Sequence, residues 1–202
     1  MLCIFLADAA GIAIYEQIRE NANVALYAKM AYTDMMTGLK NRAAFIDDSN
    51  RDAHTPGAVS YIMIDANNLK KVNDSLGHKR GDELLTTVAR CMEAGVKKYA
   101  GNGRCYRIGG DEFVVLYPEI KQAEFEYFVS QLQKNAKEHQ VNISYGVVWK
   151  EICENLEDLL TEADKKMYED KKLYYSNTKH NRRGQIERNS PLFTAEKKVM
   201  QD

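Results

Sequence analysis

Residues 109–113 read Gly-Gly-Asp-Glu-Phe between two runs that favour strands, and no other feature constrains the fold as tightly. Upstream stands Arg104-Cys105-Tyr106-Arg107-Ile108; downstream, Phe113-Val114-Val115-Leu116-Tyr117. Aromatic and β-branched residues suit the pleated, half-buried surface of a sheet, so the stretch reads as a β-hairpin. Glycine takes φ > 0 without a Cβ clash, which suits Gly109 and Gly110 to a tight reversal. Asp111 and Glu112 then sit beside the turn, where adjacent carboxylates repel unless something positive binds. Alone, such a turn reads as a solvated acidic loop.

A second acidic loop at a matching spacing shifts that balance towards chemistry. Val59-Ser60-Tyr61-Ile62-Met63-Ile64 is a short apolar run of the kind that forms a buried strand, and it ends at Asp65. The chain continues Ala66-Asn67-Asn68-Leu69-Lys70-Lys71-Val72-Asn73-Asp74. A carboxylate at the carboxyl end of a buried strand is where α/β proteins place ligand chemistry; the competing reading is that Asp65 caps the next helix.

Several separated motifs, in order, resemble the GGDEF family of diguanylate cyclases over roughly residues 32–172. They are Asp34-Met35-Met36-Thr37-Gly38-Leu39-Lys40-Asn41-Arg42, the stretch from Asp65 to Asp82, the pentapeptide itself, Ser144-Tyr145-Gly146-Val147, and Ala163 to Lys171. An ordered set of this kind is far more specific than one pentapeptide.

The remaining pattern runs helix, strand, helix, helix, hairpin, helix, strand, helix. One helix opens near Asn41 and carries Phe45; another runs from Gly81 to about Lys98 with Leu84, Leu85, Val88 and Met92 as its apolar stripe. Residues 122–139 form a further helix, 141–149 a strand, and a helix from Leu156 to about Tyr174 closes the domain. The fold class is α+β: a central, mainly antiparallel sheet flanked by helices, in the two-layer manner of nucleotidyl cyclases. Residues 1–31 are assigned to a stalk or linker helix, 32–175 to the GGDEF domain and 176–202 to a polar, net-basic tail without assigned function.

A formal net charge of −1 over 202 residues gives no electrostatic case for a nucleic-acid binder. Four scattered cysteines (3, 91, 105 and 153) lack CxxC spacing and fit buried thiols in a reducing, cytoplasmic compartment. Leu2 to Tyr15 is apolar but interrupted by Asp8, and a complete span needs about 20 apolar residues. It is either the inner end of a membrane helix, which makes the chain the cytoplasmic portion of an anchored protein, or the start of a soluble stalk. Ile4, Ala7, Gly11, Ile14, Ile18, Asn21, Ala25, Ala28 and Tyr32 form a weak heptad seam that favours the stalk. A helix folded back onto its own domain is the competing reading.

The resemblance implies a reaction: two GTP give cyclic di-GMP and two pyrophosphates, across a homodimer joined through its active-site faces and its stalks, beneath an upstream sensor. It assigns Asp65, Asp111 and Glu112 to catalysis, and Asp65, the Ala66 carbonyl, Asp111 and Glu112 to two metals per site. All-oxygen ligands select Mg²⁺ or Mn²⁺ over zinc. Glu112 either serves the metals or helps deprotonate the 3′-hydroxyl. Asn73 and Asp82 match the guanine-reading positions. A carboxylate accepts only, and guanine offers N1–H and N2–H₂ as donors; Asp82 is otherwise a first-turn acid on the following helix. Lys70 and Lys171 match phosphate contacts.

The chain departs from the family pattern at three places. Tyr175 stands where a phosphate-binding arginine is expected, with Lys172 and Lys179 as candidate substitutes. Asn67 replaces a second acid. Ala100 and Gly103 occupy the positions of an Arg-x-x-Asp product-inhibition site, so strong product inhibition is not expected through it, and Arg104 beside them reads as a solvated arginine.

Overall fold

A computed structural model describes residues 2–52, 57–99, 102–152 and 156–181. Its elements are α1 (Leu2–Tyr32), α2 (Arg42–Asp52), β1 (Val59–Ala66), α3 (Leu69–Leu76), α4 (His78–Tyr99), β2 (Arg104–Arg107), β3 (Glu112–Pro118), α5 (Gln122–Glu138), β4 (Ile143–Lys150) and α6 (Leu156–Asn181). The four strands form one antiparallel sheet in the order β2-β3-β1-β4.

β1 is the centre of this arrangement, and all eight of its residues are buried. Alternation along a strand sends successive side chains to opposite faces. Ile62, Ile64 and Ala66 join Leu84, Leu85, Val88 and Met92 of α4 and Phe125, Phe128 and Leu132 of α5. Val59, Tyr61 and Met63 face the other way, onto Ala44 and Phe45 of α2 and Leu159, Ala163 and Met167 of α6. A strand buried on both sides requires cover on both, so helices lie on both faces, a layer more than the two-layer packing expected. The α+β class and the antiparallel sheet are as the sequence indicated.

Local signals explain the boundaries. Asn41 opens α2 by accepting the Ala44 amide on its side-chain oxygen, 3.1 Å away. α4 begins at His78, earlier than Gly81, which removes the first-turn reading of Asp82. The hairpin is present, yet neither Gly109 nor Gly110 has positive φ. Gly109 instead lies against the Glu112 side chain: a Cβ there would fall 2.6 Å from Oε2, the movable end of an exposed side chain, and 3.3 Å from the Glu112 Cβ. α6 continues past Tyr175 to Asn181, and residues 182–202 lie outside the described residues, as do Ala100 and Cys153.

Residues 11–27 of α1 are all exposed, including Ile12, Ile18 and Val24 at 60% or more, so this stretch does not pack back onto the domain. Its end is tied to the domain, where Asn41 Nδ2 donates to the Ala31 carbonyl (2.7 Å) and Tyr32 Oη to Asp47 (2.7 Å). No described helix is long and apolar enough to cross a membrane.

Candidate active site

β1 and β3 bring the two acidic loops together. Their register sets Asp65 directly opposite Glu112, and Ser144 of β4 lies on the other side of Asp65. The Ala66 amide donates to the Asp111 carbonyl at 2.9 Å, which locks the Gly-Gly-Asp-Glu turn to the end of β1. Strand alternation points Asp65 at the α6 face, where it is 2% exposed. Like charges opposite one another destabilise a sheet, so a cation is required nearby.

Lys171 of α6 supplies one, with Nζ 2.5 Å from Asp65 Oδ2. Burial pushes the Asp65 pKa up, and the Asp111 charge adds to this, while Lys171 opposes it; the net shift is upward. Burial pulls Lys171 down, but Asp65 and Asp111 outweigh it and raise its pKa. Asp65 Oδ1 remains buried with no hydrogen-bond partner. That orphaned hard acceptor, with Asp111 close enough to couple to it, fits an Mg²⁺ or Mn²⁺ ion. Among the described residues no three acidic, histidine or cysteine side chains converge on one point, and Glu112 is exposed. Two carboxylates do not close on each other without a cation between them.

Of the other expected residues, Asn73 and Asp82 are brought together. A Cβ on Gly81 would fall 1.9 Å from Asn73 Oδ1, so the Asn73 amide lies against the backbone next to Asp82. Asn73 Oδ1 is buried and without a partner, while Asp82 is exposed. Lys70 is exposed in the first turn of α3. Asn67 is structural: its amide donates to the Asn142 carbonyl (2.9 Å) and its Nδ2 to Ser144 Oγ (2.9 Å).

Three contacts escaped the sequence reading. Arg107 clasps the turn, with Nη2 on the Gly110 carbonyl at 2.8 Å and Nη1 on Asp34 at 3.3 Å. Asp34 also accepts from the amide and hydroxyl of Thr37 at 2.8 and 2.6 Å. Burial would raise its pKa, but Thr37 and Arg107 outweigh that and hold it below its ordinary value. Second, Asn68 donates its amide to Tyr175 Oη (3.2 Å) and its Nδ2 to Tyr174 Oη (2.5 Å). Third, Arg104 is no solvated arginine: Asp52 and Asp48 bind it in a network that includes Lys40 and Tyr106. Only the tyrosines left a signal, since Lys171, Tyr174 and Tyr175 share one helix face. Gly103 lies against the Tyr117 ring, where a Cβ would fall 2.3 Å from Cε1.

An antiparallel sheet between helices, with a buried aspartate ending its central strand beside a Gly-Gly-Asp-Glu turn, defines the nucleotidyl-cyclase-like class of α+β domain. The family model "Diguanylate cyclase, GGDEF domain" matches residues 31–176, and the chain belongs to that family. It is 29% identical over 181 residues to the diguanylate cyclase VdcA of Vibrio cholerae serotype O1, covering 84% of this chain and 52% of that protein. To the diguanylate cyclase DgcS of Shewanella oneidensis it is 34% identical over 150 residues, covering 70% and 50%. The chain thus spans about half the length of these curated relatives. Among solved structures, SiaD of Pseudomonas aeruginosa, a diguanylate cyclase in complex with its activator SiaC, superposes with a TM-score of 0.65 at 26% identity, covering 83% of this chain and 68% of that one. The coiled coil and GGDEF domain of DgcB from Caulobacter crescentus, in complex with c-di-GMP, shares the fold at a TM-score of 0.72 and 20% identity, covering 83% and 94%.

Proposed function

We propose that the chain carries a diguanylate cyclase domain over residues 32–175, converting two GTP into cyclic di-GMP and two pyrophosphates. The observation that carries this reading is the orphaned, buried Asp65 Oδ1, held opposite the Gly-Gly-Asp-Glu turn in a member of this family. In each half-reaction a 3′-hydroxyl oxygen bonds the α-phosphorus of the other GTP. The bond from that phosphorus to the bridging oxygen breaks and pyrophosphate leaves. The hydroxyl proton passes to Glu112 or to solvent. Asp65, Asp111, Glu112 and the Ala66 carbonyl would hold two Mg²⁺ or Mn²⁺ ions. Such metals stabilise the entering and leaving oxygens of an in-line displacement.

The other residues bind and orient. Asn73 Oδ1 and the Asp82 carboxylate accept from guanine; adenine would set its N1 lone pair against Asp82, and a polar site of this kind discriminates strongly. Lys171 and Lys70 supply positive charge to the triphosphate. One site holds one GTP, so two copies must face each other, and α1 as a stalk pairing two chains below an upstream sensor would set their effective concentration. GTP supply places the domain in the cytoplasm.

Tyr175 favours a second reading, a non-catalytic module that binds GTP or relays a signal by dimerising, because it brings no positive charge to the triphosphate. The two separate on incubation with GTP and Mg²⁺ at high protein concentration, followed by nucleotide chromatography. Cyclic di-GMP that rises faster than linearly with protein and is lost in Asp111→Ala is the expected result. GTP binding without pyrophosphate release, even after the stalk is dimerised artificially, would establish the module instead.

A further inference from the structure

We infer that Tyr175, supported by Tyr174, is a positioning residue that fixes the loop between β1 and α3 in the shape that receives the triphosphate. The inference rests on the GTP-binding reading above. Asn68 is the N-cap of α3 and lies at φ 65°, ψ 13°, a left-handed conformation that asparagine adopts more readily than most residues with a Cβ. An N-cap asparagine ordinarily turns its side-chain oxygen back onto the first helical amides. Here no such bond forms. Asn68 instead donates its backbone amide to Tyr175 and its side-chain amide to Tyr174. Both bonds run to a different helix, so α6 rather than α3 itself holds the cap.

Lys171 belongs to the same device. It precedes Tyr174 and Tyr175 by three and four residues, so the three side chains share one face of α6. Lys171 grips Asp65 at the start of the loop, and the tyrosines grip Asn68 at its end. Asn67 between them is pinned to Asn142 and Ser144. The tyrosine rings pack edge to face, with centroids 5.2 Å apart, so each limits the other's freedom. Because α3 starts immediately after Asn68, the cap sets where Lys70 and Asn73 stand relative to Asp65. A neutral hydroxyl orders this loop without adding charge to the site.

Tyr175→Phe keeps the ring and removes the acceptor. At 36% exposure the position tolerates that change, and Tyr174→Phe is the independent second variant. In the ligand-free protein, amide exchange at Asn68 read by NMR should quicken in Tyr175→Phe by about 2- to 13-fold, the equivalent of one net hydrogen bond. The Kd for α,β-methylene-GTP with Mg²⁺, read by calorimetry, should rise by a similar factor, while exchange in the sheet stays as in the parent. Unchanged Asn68 exchange or unchanged affinity would overturn the inference. So would tighter binding, which would mean that the hydroxyl competes with phosphate for the amide. A parent protein that does not bind the analogue overturns this inference and the GTP reading together. A parent that binds it, is weakened by Tyr175→Phe, and makes no cyclic di-GMP from GTP overturns only the cyclase and upholds the clamp.

Discussion

Replacing Gly146 with alanine should both destabilise and disarm the protein, because this glycine sets the distance between β4 and α6. Ser144, Gly146 and Val148 point towards α6, and at Gly146 the helix backbone comes into the space a side chain would need. A Cβ there would lie 1.8 Å from the Ala163 carbonyl oxygen and 2.5 Å from the Met167 amide nitrogen. Both are backbone atoms, so no rotamer change relieves the overlap. Reaching ordinary contact at 3.4 Å requires α6 to retreat by 3.4 − 1.8, about 1.6 Å. That shift would open a gap beneath Leu159, Ala163 and Met167, none more than 5% exposed. Overpacking with loss of those dispersion contacts costs about 3 kcal/mol. The same retreat would carry Lys171 beyond hydrogen-bond range of Asp65. Misplacement of this size costs about 100-fold in turnover. Urea unfolding of Gly146→Ala against the parent measures the first effect, and the rate of cyclic di-GMP formation from GTP the second. A stability within about 0.5 kcal/mol of the parent, the range of an ordinary surface substitution, would refute the argument.

Three further outcomes follow from the same geometry. Arg107→Lys keeps the charge but cannot span Asp34 and the Gly110 carbonyl, so unfolding should be easier by about 1.5–3 kcal/mol and turnover reduced, as chemical denaturation and product assays would show. Asp34 is held below its usual 3.8, so its contribution to stability is present above that value and is lost as pH falls through the lower folded pKa. Asp34→Asn should accordingly flatten the acid limb of a stability–pH curve, and an unchanged limb would count against the assignment. Burial pushes the Cys105 thiol up to about 12, so a thiol reagent at pH 8 should label it only after unfolding, which a mass-spectrometric time course in urea reads directly.

The parts of the fold visible in sequence were those with a local cause. Val59 to Ile64 reads as a buried strand because every position is apolar or small, and Asn41 opens α2 because its side chain reaches an amide three residues on. The start of α4 was misplaced because His78-Lys79-Arg80 carries no apolar period, although Arg80 and Gly81 already bond back to Gly77. The sequence suits the hairpin glycines to positive φ, whereas neither has it and Gly109 lies against the Glu112 side chain, which no dihedral preference reveals. Arg104 was read as solvated because its partners Asp48 and Asp52 arrive from α2, far away in the chain.

By itself the sequence determined the residue types at the proposed site: Asp65, Asp111, Glu112, Asn73, Asp82 and Lys171, each with chemistry suited to the metal, base or phosphate proposed for it. It also determined the alternation that turns Asp65 towards α6, since a strand's period is local. Only the tertiary structure decided which of those groups meet. Lys171 reaches Asp65, Arg107 reaches Asp34 and the Gly110 carbonyl, and Tyr175 reaches the Asn68 amide, because the sheet and α6 close loops of dozens of residues. The physical reason is that a propensity acts over a few bonds, whereas a hydrogen bond or an ion pair depends on distance in space, which packing around residues such as Gly146 sets.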